Sequence, residues 1–451
     1  MGEGKVEYRN RNATDELRDF VEETGIMPTG SFGGDPCKVI FGALENNFRD
    51  GNNLVGNMST DSVLVSYVAN FPGLNKNMST GHGPFVTLVS TTDANSLQQL
   101  DPVTLEPIEL FTYQATNPAL VSNGMCSAHP AHGSGGEIYN YVLDLNTEPP
   151  EYRVFVLDST GAGRILTTIT DAPAAYLHTI FSTENYLILI VWQADIGATA
   201  KPTYNILDTF KPWDPKRETI FYVIDKVSGG IIAKYTTETF FAFHEINSFE
   251  DHETGSIVID IPVQPDYSFL EASRLANLRA NVGRLNASAK HDIPSTFRRY
   301  RLPDYANTTI AANGTSLPRR AILDFEIEYK TGNIELPRIN QAYHGKAYRF
   351  AYGVHIEKPG YFTDSLIKVD TKTQRTKVWS PSTNHLPSEP IFVAHPNATS
   401  EDDGVILTVA LDAKRKMSSL VVIDAKCMEE IARAELPLVV GYGFHGIWGG
   451  Y

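Results

Sequence analysis

Four histidines in unlike but well-marked settings offer the clearest chemistry in this chain. They are His129 in MCSAHPAHGSGGEIYNY, His178 in YLHTIFSTENYLILI, His244 in FAFHEINSFED and His445 in YGFHGIW. Successive members stand 49, 66 and 201 residues apart (129 to 178, 178 to 244, 244 to 445). No helix or hairpin brings residues at those spacings together, so only the global fold can. Neutral imidazoles gathered at one point suit a borderline divalent transition metal. A histidine taken singly is far more often a surface or core residue than a ligand. The eight others (His82, His132, His252, His291, His344, His355, His385, His395) are read that way. His132 stands close enough to His129 to compete, but Gly133, Ser134 and Gly135 after it suggest an exposed loop.

The elements that must gather the four are strands. Alternating apolar segments end in Asp, turn, and run back in LQQLDPVTLEPIELF, VFVLDSTGAGRILTTI, FYVIDKVSGGIIAKY, LIKVDTKTQRTKVWS and LVVIDAKCMEEIARAEL. The turn residues are Asp101, Asp158, Asp225, Asp370 and Asp424, each placed to accept from the backbone N–H groups of its turn. A weaker sixth instance is FEIEYKTGNIELPRI. A hairpin repeated at this period is the sequence signature of propeller blades. Helical spacing occurs only in TDELRDFVEETG (14–25) and FLEASRLANLRANVGRL (269–285). The polar stretch 286–320 reads as an excursion over one face. No linker divides the chain, so residues 1–451 are read as one domain.

Bulk properties remove several classes of function. At 451 residues, with 42% hydrophobic and 20% charged residues, the chain is long enough and apolar enough for one large core. Lys and Arg number 38 against 53 Asp and Glu, a formal charge of −15. That balance disfavours nucleic acid as a partner, since phosphate binding needs a basic face. Three cysteines (Cys37, Cys126, Cys427) without CxxC spacing give no disulfide framework and point to a reducing compartment. The N-terminus is polar and charged, unlike a signal peptide. No apolar run reaches the roughly 20 residues of a membrane span, and YLILIVW (186–192) reads as a buried strand. No GxGxxG after a strand, P-loop or GxSxG is present.

The histidine settings and the tracts between them resemble the carotenoid cleavage oxygenase family, which includes retinal-forming, apocarotenoid-forming and stilbene-cleaving enzymes. The resemblance rests on SAHP with GEIYNY, LHTIFSTENY, FHEINSFED and FHG, together with SFGGDPCKVIFG, LANLR, ELPRIN, AYRFAYG, SEPIFVAHP and EDDGVILTV. It implies an all-β, seven-bladed β-propeller with helical insertions on one face. It also implies one Fe(II) per chain, held on the propeller axis by His129, His178, His244 and His445. The family pattern includes a further N-terminal stretch with no match here, so the first blade is expected to be incomplete.

By the same resemblance, Asp93, Glu335 and Glu389 stand one layer out and orient three of the imidazoles by accepting their other N–H, leaving the fourth without such a partner. Asp93 departs from the pattern, because glutamate is commoner there. One methylene shorter, it must approach more closely or act through water. The implied reaction is cleavage of a C=C bond by O2 to two carbonyl products, with a lipophilic polyene as substrate. Stilbene cleavers place a phenol-binding lysine where this chain has Thr92, which favours a carotenoid or apocarotenoid. Two alternatives stand beside this: a stilbene or phenylpropanoid cleaver, and an inactive truncated propeller that serves as a binding protein. A cytoplasmic location is expected, with peripheral membrane contact because the substrate partitions into lipid and 194–213 as the lip. Cys126, near His129, reads as a small core residue.

Overall fold

The structure, a computed structural model, describes residues 19, 22–23, 65–74, 85–197, 206–272, 295–305, 318–357, 363–381 and 385–449. The described residues form six sheets, antiparallel except for one short strand, so among them the expectation of seven blades is corrected to six. Sheet I runs Ser66–Ala69, Leu88–Thr91, Leu97–Leu100, Pro107–Phe111. Sheet II is built on Met125–Cys126, Ile138–Asp144, Glu151–Leu157 and Gly163–Ile169, with Ala131–His132 also paired to Ile138–Asp144. Sheet III is Phe181–Ser182, Tyr186–Val191, Thr219–Asp225, Ile231–Thr237, and Arg319–Arg320 added in parallel. Sheet IV is Asn247–Asp251, Ser256–Val263, Thr296–Pro303, Ile322–Ile327. Sheet V is Glu335–Ile339, Phe350–His355, Ser365–Asp370, Arg375–Trp379. Sheet VI joins His385–Pro387 and Ile391–Ala394 to Gly404–Asp412, Met417–Asp424 and Glu429–Glu435.

The hairpins also divide differently from the repeat read in the sequence. Asp101, Asp158, Asp225, Asp370 and Asp424 each turn the outer hairpin of one sheet, and each Oδ1 accepts two backbone N–H groups of its turn. FEIEYKTGNIELPRI is no blade of its own. It leaves sheet IV at Ile327, makes the short helix Tyr329–Gly332, and enters sheet V at Glu335. Sheet IV carries its Asp turn at Asp251 instead, between its first two strands.

The stretch read as a surface excursion also contains a strand. Thr296–Pro303 (TFRRYRLP) is the third strand of sheet IV. Phe297, Tyr300 and Leu302 are buried, while Arg298, Arg299 and Arg301 pair with Glu326, Asp260 and Asp251 respectively. Its arginines disguise a period-2 pattern that a bulge between Arg299 and Tyr300 shifts by one residue. Of the two helical predictions, Asp19, Glu22 and Glu23 are helical, as is Ser268–Ala272. The remainder of both lies outside the described residues.

Hydrogen bonds latch each sheet to the next. Asn117 donates to Gly163 O in sheet II (3.0 Å), and Gly230 N in sheet III donates to Leu166 O in sheet II (2.9 Å). Thr183 reaches Glu250 (2.7 Å), Asn247 reaches Lys346 O (3.0 Å), and Lys368 reaches Ala425 O (2.8 Å). The largest apolar cluster fills the space between sheets II, III and IV, with Trp192, Tyr152 and Phe221 fully buried. Within it, Tyr141 donates its hydroxyl to Leu177 O at 2.5 Å, beside His178. Tyr141→Phe keeps the ring and orphans that carbonyl. Denaturant unfolding is expected to show a loss of about 1–3 kcal/mol, the desolvation cost of a buried unpaired polar group.

Candidate metal centre

Three of the four histidines lie beside the short first strands of their sheets. His129 sits between the two short inner strands of sheet II, His178 just before Phe181–Ser182, and His244 just before Asn247–Asp251. His445 follows the last strand of sheet VI, in a segment outside any strand. His129 and Thr179 form a parallel bridge that fixes the first two relative to each other. One ligand-capable atom from each histidine lies within 4.8 Å of the others. His129 Nε2 is 3.1 Å from His178 Nε2, and His244 Nε2 is 3.3 Å from His445 Nε2.

Each of the three expected carboxylates meets one ring, and it does so directly. His178 Nδ1 donates to Asp93 Oδ1 (2.7 Å), His244 Nδ1 to Glu335 Oε2 (2.8 Å) and His445 Nδ1 to Glu389 Oε1 (3.1 Å). Asp93 comes from sheet I, Glu335 opens sheet V, and Glu389 lies between the first strands of sheet VI. The shorter Asp93 therefore approaches closely, as its length requires, with no gap for water. Glu335 is aimed by a bulge: pairing slips between Glu335 and Arg338, and Leu336 sits at φ +46°. A leucine in the left-handed region is a strained position of the kind that functional sites retain.

Three residues that sequence reasoning missed hold the far side of these acids. Tyr176 donates its hydroxyl to Asp93 Oδ2 (2.9 Å), Gln264 donates to Glu335 Oε1 (2.9 Å), and Arg338 donates to Glu389 Oε2 (2.9 Å). Arg338 also donates to Gly446 O (2.7 Å), and Gly446 N donates to Glu389 Oε2 (2.8 Å). The strand-free segment that carries His445 is thus held by Glu389 and Arg338. Tyr176, two residues before His178, was within reach of a local reading. Gln264 and Arg338 carry no such signal, being ordinary strand-end polar residues.

The electrostatics favour the neutral form of two of the rings, His129 and His445. Burial, then the neighbouring rings of His445, His178 and His244, holds the His129 imidazole well below its usual range. Burial brings His445 down to about 4 although Glu389 opposes the shift. Burial pushes the Glu389 carboxyl up, but Arg338 and His445 together outweigh it and hold it low.

Donor chemistry tests whether a metal fits. In His178, His244 and His445 the Nδ1 proton is committed to a carboxylate, so in the neutral rings each Nε2 is a bare lone pair. Three such lone pairs converge with His129, an arrangement that is repulsive without a cation among them. Two imidazole nitrogens at about 2.1 Å from one ion stand about 3.0 Å apart when they subtend a right angle, close to the 3.1 and 3.3 Å seen here. The residues fit a divalent ion.

Other candidates fall away. His132 is exposed and does not belong to the converging set. The triplet His355-Ile356-Glu357 has the spacing used by two-histidine-one-carboxylate iron sites, but His355 Nδ1 is committed to Asn333 O (2.8 Å). Cys126 is buried and donates its thiol to Ala94 O (3.0 Å), and burial pushes that thiol well up, so it is an inert core residue. One flank of the centre is aromatic. Phe243 stands edge-on to His178, with ring centres 5.4 Å apart, and it packs on Phe241 and Phe269. Tyr176 leads outward through Phe210 and Tyr267 to Trp213. Among the described residues no helix is long and apolar enough to cross a membrane.

Comparison with known proteins agrees with this geometry. The model of the retinal pigment epithelial membrane protein family, RPE65, matches residues 1–449. A carotenoid dioxygenase of Neurospora crassa is 31% identical over 487 residues, covering 98% of this chain and 79% of that protein. The torulene dioxygenase of Fusarium fujikuroi is 29% identical, covering 99% and 81%. Among solved structures, cobalt-substituted Synechocystis apocarotenoid oxygenase superposes with a TM-score of 0.67 at 20% identity, over 96% of this chain and 82% of that one. At that identity the superposition speaks for the fold, an all-β propeller.

Proposed function

Since the chain belongs to the RPE65 family of carotenoid cleavage oxygenases, we propose that it is an Fe(II)-dependent dioxygenase. Its reaction is cleavage of a C=C bond of a carotenoid or apocarotenoid with O2, giving two carbonyl products. The observation that carries this reading is the convergence of three bare Nε2 lone pairs, each backed by a carboxylate, with the imidazole of His129. His129, His178, His244 and His445 would hold the ion, and Asp93, Glu335 and Glu389 would fix the rings of three of them. A redox-active Fe(II) supplies an open Lewis-acidic position at which O2 can be activated beside the substrate.

The chain's own residues do the rest. The buried carboxylates and their outer donors hold the rings in place before any ligand arrives, so no reorganisation accompanies the reaction. The aromatic flank from Phe243 to Trp213 offers apolar length and few hydrogen-bonding groups, which suits a polyene and excludes water. Carotenoid and torulene dioxygenases among the relatives support the same substrate class. Thr92, next to Asp93, provides no cation for a phenolate. Contact with a lipid surface belongs to this proposal as the route by which such a substrate arrives.

The test is a product screen. Fe(II)-loaded protein is incubated under O2 with carotenoids, apocarotenals and hydroxystilbenes, and the aldehydes are identified by mass. Apocarotenals or retinal from the polyenes are expected, with little turnover of the stilbenes. Hydroxybenzaldehydes as the main products would replace the substrate assignment. Iron-loaded protein with no product from any substrate would favour a binding protein.

A further inference from the structure

The Asp93 pair differs from the other two in the length of its acid, and Tyr176 is placed where that difference matters. Asp93 Oδ1 takes the His178 Nδ1 proton at 2.7 Å, and Tyr176 donates to Asp93 Oδ2 at 2.9 Å. The same phenol oxygen is 2.9 Å from His178 Nδ1. Phenol, carboxylate and imidazole therefore close a ring of three short contacts, and the Nδ1 proton faces two acceptors. At Glu335 and Glu389 the outer donors, Gln264 and Arg338, touch the acid and not its histidine. The Tyr176 ring is pinned by Phe210 and Phe243.

We infer that Tyr176 is a positioning residue for His178, and that Asp93 and Tyr176 act as one unit in which the phenol fills the space a longer acid would occupy. Without the hydroxyl, Asp93 Oδ2 loses its partner, and the carboxylate is free to rotate away from Nδ1. With the hydroxyl in place, the extra methylene of a glutamate has no room between phenol and imidazole. The two positions should therefore be interchangeable only together. This inference rests on the metal-centre reading, and its test separates the two.

Co(II) serves as the probe, because its d–d absorption reports the ligand field as well as occupancy, independently of turnover. Co(II) is titrated into metal-free wild-type protein, Y176F, D93E and the D93E/Y176F double variant. Thermal unfolding of each metal-free protein checks that the fold is kept. Expected are a roughly 10-fold weaker Co(II) affinity for Y176F and for D93E, the lower end for residues that orient ligands. The double variant should recover to within about 3-fold of wild type, with a wild-type-like d–d band, because the glutamate then occupies the vacated space. Wild-type affinity in Y176F, or losses in the double variant that simply multiply, would overturn the inference. If Y176F does not fold, D93E decides alone: wild-type affinity there also overturns it. A wild-type chain that takes up no Co(II) sinks the metal-centre reading and this inference with it.

Discussion

Replacing His244 by alanine is expected to abolish both metal retention and turnover. The ring contributes one of four convergent nitrogens, and its neighbour His445 stands 3.3 Å away. Its loss does more than remove a donor. Glu335 then keeps only Gln264 and Leu336 N as partners, so a buried carboxylate loses its imidazole. Dialysed H244A should hold less than about a tenth of an equivalent of iron, since removing a ligand outright must exceed the 10–100-fold cost of disturbing a residue that merely orients one. Metal analysis by mass spectrometry checks this directly. The same result is expected for His129, His178 and His445. Full iron content in any one of the four alanine variants would remove that residue from the ligand set.

The second large effect belongs to Glu389. Glu389→Gln preserves shape and removes charge, yet Glu389 serves three partners: His445 Nδ1, Gly446 N and Arg338. Glutamine can accept at one oxygen but brings an NH2 against either an N–H or a guanidinium. His445 lies in a segment that no strand pairing holds, so its aim depends on this acid more than His244 depends on Glu335. Metal affinity and turnover should fall by about 100-fold for Glu389→Gln and about 10-fold for Glu335→Gln, the two ends of the range for residues that orient metal ligands. Metal titration of both variants against wild type checks the order as well as the size. Equal losses would mean that the segment's other anchors, Ser418 on Val440 and Ser388 on Gly443 N, hold His445 without Glu389.

The histidines and their acids were legible because each is embedded in a short local block. SAHP, FHEINSFED and ELPRIN are readable one at a time. What closes the centre was less legible, because each outer donor lies far in sequence from the acid it meets, and only Tyr176 stands near a histidine. Tyr176 and Asp93 are 83 residues apart, Gln264 and Glu335 are 71, and Arg338 and Glu389 are 51. The make-up of sheet IV was hidden for a related reason. The Asp turns marked five sheets correctly, but TFRRYRLP conceals its apolar alternation behind three arginines whose carboxylate partners come from neighbouring strands and their turns. Composition reads arginine as solvent-facing, whereas pairing across strands lets it sit against a core.

The outer donors also set the charge balance of the interior. Asp93, Glu335 and Glu389 each accept hydrogen bonds at both oxygens, which is the pattern of ionised carboxylates. Arg338, the one cationic donor among the three, offsets one of those three negative charges. With neutral imidazoles the assembly carries a net charge of −2, the counterpart of a single divalent ion. A ferrous ion thus makes the centre electroneutral, the condition under which a charged group is least costly in a low-dielectric interior. A ferric ion would leave one positive charge uncompensated. On that count a ferrous ion, if bound, would leave the site without net charge beside an apolar substrate.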